Sequence, residues 1–202
     1  MPSSSGSSDC PKGWPSGSVT FIPKNIWSSD ISNDVINYLT QRPKSSTEHN
    51  HFPNSHQSLP NGPCTKIKIK SIQDPNHPAH GQHGLFASQS LAPKSLILDY
   101  LGFIDLDANA SSTSDYSMNF CRGLAGLPDI IIDAEKFGNE ARFINDYRGI
   151  AQKPNAKFEN YRDATGKVKV GVWVLGDKIK KGDEITVSYG KGFWHARASC
   201  DG

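Results

Sequence analysis

Two stretches decide how this chain is read: Gly138-Asn-Glu-Ala-Arg-Phe-Ile-Asn145, followed by Pro154-Asn-Ala156, and Gly182-Asp-Glu-Ile-Thr-Val-Ser-Tyr-Gly190. The first lies in the best helical candidate of the main region, residues 135–143, which amounts to no more than a short turn. The second is a brief apolar run closed by glycine on either side, the form of a short strand. The neighbouring sequence repeats that texture. Residues 65–72 alternate apolar and polar side chains, as a half-buried strand does. Short apolar runs follow at 85–87, 96–101, 130–132, 156–161 and 168–175, each punctuated by Gly, Pro or Asp. Asp163-Ala-Thr-Gly-Lys167 between the last two has the composition of a hairpin turn. Many short strands and little helix predict a mostly β architecture of several small sheets.

With 202 residues the chain favours one domain with an appendage. Its 36% apolar share is low for an evenly packed chain, and the deficit lies at the start. Residues 1–60 hold 14 serines and 7 prolines, with too little apolar surface to offset the entropy of ordering. One island, Ile31, Val35, Ile36 and Leu39, has helical spacing, and Ser29, Asp30 or Ser32 is available as its cap. This predicts a helix at about 32–40, docked on the main domain or loosely attached. The expected division is a Ser/Pro-rich segment at 1–64, the main domain at 65–195 and a tail at 196–202.

A net charge of +2 carries no signature of nucleic-acid binding. Cys10, Cys64, Cys121 and Cys200 are scattered, which suits reduced thiols better than a zinc site or a disulfide framework. No apolar run reaches the roughly 18 residues of a membrane span, and the opening Met-Pro-Ser lacks a secretory core. The expectation is an intracellular protein, nuclear or cytoplasmic.

The glycine signatures of nucleotide-binding α/β folds are missing, and no long helix follows a glycine turn. Four segments stand in order instead. His83-Gly-Leu-Phe-Ala87 precedes Ile97-Leu-Asp-Tyr-Leu-Gly102; Asp115-Tyr-Ser-Met118 leads to an apolar strand ending in Asp133; the two stretches quoted first complete the set. Together they resemble the SET-domain family of protein-lysine methyltransferases, whose pattern runs G-x-G-L-F-A, E-Y-x-G, G-N-x-x-R-F-I-N-H-S, P-N and G-E-E-L-T-x-D-Y-G. The likeness spans about two thirds of the chain. It implies a SET fold of several small β-sheets, few short helices and a knot-like threading of the C-terminal segment, an arrangement rare among folds. It also implies S-adenosylmethionine as methyl donor, S-adenosylhomocysteine as product and a protein lysine as acceptor, with a histone tail the default the family suggests.

On this resemblance Tyr189 stands beside the transferring methyl, and Tyr100 and Tyr116 are either walls of the lysine channel or ordinary core aromatics. Gln82, His83, Gly84 and Leu85 pass the donor's methionine end, where glycine permits close backbone approach; His83 either contacts the donor or stands solvated in its loop. Tyr116, Arg142, Phe143, Asn145 and Asp146 complete the donor-binding set, with the Asn145 amide bonding the donor. Phe193 or Trp194 either stacks on the adenine or closes the core.

The chain departs from the pattern at Gln82, Asp146, Tyr147 and Ser188, lacks the family's cysteine-rich zinc element, and carries a longer link before Pro154. Val187 stands where the family has Phe or Tyr in the substrate pocket, which implies a roomier pocket able to add more than one methyl, or one filled by another aromatic. These departures keep a second reading open, a catalytically degenerate SET module that binds a peptide or partner as a scaffold. The clusters His49, His51, His56 and His77, His80, His83 lie in Pro/Asn/Gly-rich loops without cysteines and are expected to be solvated rather than metal-binding.

Overall fold

The computed structural model describes residues 10–17, 19–41, 52–55, 57, 59, 62–124, 126–190 and 193–194. His49, His51, His56, Cys200 and the expected tail at 196–202 lie outside them. In chain order the elements are β1 Thr20–Phe21, β2 Ile26–Trp27, α1 Asn33–Thr40, β3 Ile67–Ser71, β4 His83–Ala87, β5 Leu96–Tyr100 and β6 Phe103–Leu106. Then come β7 Ser117–Cys121, β8 Ile130–Asp133, β9 Phe137–Gly138, β10 Asn145–Asp146, β11 Ala156–Arg162, β12 Val168–Val174 and β13 Thr186–Val187.

These strands form five small sheets, ordered β1-β9, β10-β13, β11-β12-β5, β2-β6-β8-β7 and β3-β4. The expected mostly β fold is what forms. β11 and β12 are the predicted hairpin, paired from Ala156–Val174 to Arg162–Val168. Its turn is held by the Asp163 carboxylate, which accepts from the Thr165 and Lys167 amides at 2.9 and 3.1 Å. All five residues of β5 are buried, because β12 pairs with it and other elements cover both faces. β3 keeps the alternation read from its sequence, with Ile67 and Ile69 inward and Lys68 in solvent. Gly102 lets β6 turn back against β8, since a Cβ there would lie 2.4 Å from the Asp133 carbonyl oxygen.

The N-terminal helix forms where expected, with Ser32 capping the Val35 amide at 3.4 Å, and it is docked. Leu39 is fully buried and Ile31 nearly so, both within the main core. Burying one such side chain stabilises by roughly 1.5–3 kcal/mol, too much for a loose appendage. β1 pairs in parallel with β9 and β2 with β6, so the segment adds a strand to each of two sheets. The helical turn expected at 135–143 is shorter: β9 occupies part of it, and only Glu140–Phe143 forms one 3-10 turn. Among the described residues no helix is long and apolar enough to cross a membrane.

Candidate active site

The two stretches quoted first are brought together by β10 and β13, which pair in parallel with Asn145 opposite Thr186 and Asp146 opposite Val187. Side chains of the same stretches lock the pairing. Asn155 donates to the Glu184 carbonyl at 2.8 Å and accepts from the Thr186 amide at 2.9 Å, so the longer link before Pro154 still delivers it to β13. Asn139 donates to the Asp99 carbonyl at 2.8 Å and accepts from the Leu101 amide at 3.2 Å, fixing the exit of β5. Asp146, where the pattern has histidine, is buried and has three donors: the Tyr189 amide at 2.7 Å, the Arg148 amide at 2.9 Å and the Trp194 indole N–H at 3.4 Å. That departure is thus what ties Tyr189 to the C-terminal aromatics.

Two cavities meet at Tyr189. The larger, about 490 Å³, runs from Pro78, Gln82 and His83 past Asn145 to Trp194. The smaller, about 220 Å³, has Tyr100, Met118, Ile144, Phe158 and Val170 on its wall. Asp115, Tyr116, Arg142, Tyr189 and Phe193 belong to both. The Tyr189 hydroxyl donates to the Ile144 carbonyl at 2.7 Å, and its ring meets Phe193 edge-on at 4.7 Å. The Arg142 guanidinium lies 4.1 Å from the Tyr116 ring centre, while its Nε donates to the Ala134 carbonyl at 2.9 Å. Tyr100 donates to the Tyr116 carbonyl at 2.6 Å. Burial, helped by Asp133, pushes its hydroxyl well above the usual tyrosine range, so it stays a donor at any physiological pH.

A family model described as the SET domain matches residues 82–190, more than half of the chain and the whole span from Gln82 to the glycine after Tyr189. The chain belongs to the SET domain family. Its fold is similar to a crystal structure of ATXR5 in complex with mono-methylated histone H3.1, with a TM-score of 0.59 and 17% identity, over 86% of this chain and 82% of that one. A structure of the ATXR5 SET domain with di-methylated histone H3 overlaps at a TM-score of 0.49 and 21% identity, over 61% of this chain and 57% of that one. No curated protein matches the chain.

Within this SET domain the residues singled out from the sequence fall into two groups. Gln82, His83, Tyr116, Arg142, Phe143, Asn145, Asp146, Tyr189 and Trp194 line the larger cavity, and Tyr100 lines the smaller. Gly84, Leu85 and Val187 line neither. Leu85 points into the core at 0% exposure, and Gly84 lies under the Glu184 carboxylate, where a Cβ would meet Oε1 at 2.7 Å. Val187, expected in the substrate pocket, is 1% exposed and belongs to the core behind the wall. The aromatic in the smaller cavity is Phe158, on β11, edge-on to Tyr100 at 5.4 Å.

His77 also departs from expectation: it is not solvated but bonded to Glu184. Asp115 and Pro15 on the walls, and Asn139, Asn155 and Glu184 as braces, were not singled out as site residues. The braces belong to the quoted motifs, so the signal for them was present; for Pro15 and Phe158 there was none.

Proposed function

We propose that the chain is a protein-lysine N-methyltransferase using S-adenosylmethionine, with a histone tail as the first substrate to test. The observation that carries this reading is the shared wall: two cavities of unequal size and different lining meet at Tyr189, Tyr116 and Arg142. The lining of the larger one suits the donor. Arg142 and Arg148 are cationic partners for a carboxylate, Asp115 and Asp146 for an ammonium, and Phe193 and Trp194 offer aromatic faces to adenine. Trp194 is 38% exposed, which suits stacking better than closing a core. The donor supplies an electrophilic methyl group; the chain's residues supply orientation and dehydration.

The smaller cavity suits a lysine side chain. A free lysine amine, with a pKa of about 10.4, must lose a proton before it attacks. The apolar part of its wall, Tyr100, Met118, Ile144, Phe158 and Val170, disfavours the ammonium by desolvation, while the Asp115 carboxylate on the lining shared with the larger cavity acts the other way. Alignment of amine and methyl across the shared wall is worth roughly 7–11 kcal/mol in favourable cases. The parallel pairing of β10 with β13 supports the threaded C-terminal arrangement that the resemblance implies. The stretch around Trp14 and Pro15 belongs to the active unit on this reading, since Pro15 stands on the donor wall and Trp14 packs on Phe143 at 5.2 Å.

A protein lysine fits a channel of this size, and the ATXR5 structure of similar fold was solved with histone H3.1. A histone substrate would place the protein in the nucleus. The test is calorimetry of the full chain with S-adenosylhomocysteine, followed by transfer of a labelled methyl group to histone H3. Binding and labelling on lysine are expected. Absence of binding at millimolar ligand would overturn the donor site, and binding without labelling of any protein in a mixed extract would leave the scaffold reading.

Phe158 takes over the role the sequence left vacant at Val187. Its ring limits the room around the amine, so Phe158→Ala is expected to shift products toward higher methylation. Intact-mass analysis of a substrate peptide reads this directly; an unchanged product distribution would clear Phe158 of the role.

A further inference from the structure

We infer that His77, outside the span matching the SET family, is a positioning residue that orients the Asn145 carboxamide toward the larger cavity through Glu184. His77 Nδ1 accepts from the Ala79 amide at 3.0 Å, so in the neutral ring the proton sits on Nε2. Nε2 lies 2.9 Å from Glu184 Oε2, to which it then donates. The two side chains are only 12% and 9% exposed. Glu184 Oε1 accepts from the Asn145 amide nitrogen at 2.8 Å, and the same nitrogen lies 3.3 Å from the His83 carbonyl.

Both neighbours of that nitrogen are acceptors, because an ionised carboxylate and a carbonyl have nothing to donate. A flipped amide would set oxygen against oxygen at both. The carboxamide oxygen, which receives no protein donor among the described residues, is thereby left for the cavity that Asn145 lines. It presents an acceptor to a cationic group such as an ammonium. His77 holds the carboxylate in the rotamer that enforces this, and through Ala79 it fixes the loop whose Pro78, Ala79, Gly81 and Gln82 form the same wall.

The inference rests on the methyltransferase reading for the identity of the ligand, and the experiment separates the two. In H77N the shorter side chain keeps an acceptor for the Ala79 amide but no longer reaches Glu184; H77Q restores a donor toward it. Calorimetry with S-adenosylhomocysteine on the full chain should show affinity about tenfold weaker in H77N and within about threefold of wild type in H77Q, as loss and return of a charge-assisted hydrogen bond predict. Peptide KM should hardly move in either, and H77Q should recover the melting temperature that H77N loses by leaving the buried Glu184 carboxylate without its partner. Nitrogen NMR of the neutral His77 ring should show the proton on Nε2 and Nδ1 bare. H77N binding as well as wild type, or a proton on Nδ1, would overturn the positioning role alone. A wild type that binds no ligand would overturn both it and the donor site.

Discussion

Replacing Tyr189 with phenylalanine should lower kcat at least about 100-fold, about 2.7 kcal/mol of barrier, while leaving donor affinity within a small factor. The asymmetry follows from where the hydroxyl stands. The Tyr189 backbone is held by the Asp146 carboxylate at 2.7 Å and its ring by Phe193 at 4.7 Å, and neither contact involves the phenol oxygen. The phenylalanine ring therefore keeps its place. What goes is one oriented dipole at the wall the two cavities share, fixed by its bond to the Ile144 carbonyl. On the proposed methyl transfer such a dipole would act on charge that develops only in the reaction, and removal of comparable groups costs about 100- to 1000-fold in rate. Single-turnover kinetics beside calorimetry separates the two effects. A kcat within twofold of wild type would remove Tyr189 from the chemistry, and a matching loss of donor affinity would make it a binding residue instead.

What could be read in advance is what short-range chemistry dictates. The hairpin at Asp163–Lys167 needs only its own Asp and Gly, and it formed. The apolar runs became strands because they are rich in β-branched and aromatic residues and are bounded by Gly, Pro or Asp. β6 and β7 were harder, since Asp105 in one and Ser117 and Asn119 in the other interrupt any run; they exist because β8 pairs with both. The motif stretches also pointed to their own braces, as Asn139 and Asn155 bond backbone that the motifs themselves supply.

What the sequence left open or missed shares a cause, which is that side-chain direction is a tertiary property. Val187 occupies the right position in its motif, yet β13 turns it into the core, and the wall is made by Phe158 from a strand with no motif. His77 sits in a loop whose composition predicts solvent, but Glu184, 107 residues on, lies against it. Docking of the N-terminal segment was one of two outcomes its sequence left open, and pairing with strands of three sheets decides it.

Arg162 ties the end of α1 to the hairpin, and Arg162→Met should destabilise the chain by about 2–4 kcal/mol. Its side chain is 2% exposed and stands at the C-terminal end of α1, a helix with no basic residue in its own last turn. The guanidinium donates to the Tyr38 carbonyl at 3.3 Å and the Gln41 carbonyl at 3.0 Å, and to the Gly166 carbonyl in the hairpin turn. It also lies 5.4 Å from the Tyr38 ring and 5.9 Å from the Phe52 ring. A cation at a partly buried helix C-terminus is worth up to about 2 kcal/mol, and each carbonyl left unpaired costs about 1–3 kcal/mol. Among the described residues no carboxylate pairs with the buried guanidinium, and that cost offsets part of this, which is why the net figure is smaller than the sum. Arg162→Lys should recover a fraction, since one ammonium reaches fewer of the carbonyls. The loss should also be local: amide hydrogen exchange in α1 should accelerate at conditions where β5 and β12 keep their protection. Unchanged exchange in α1 would show that the helix is held by Leu39 and Ile31 alone, with the buried guanidinium contributing nothing to its attachment.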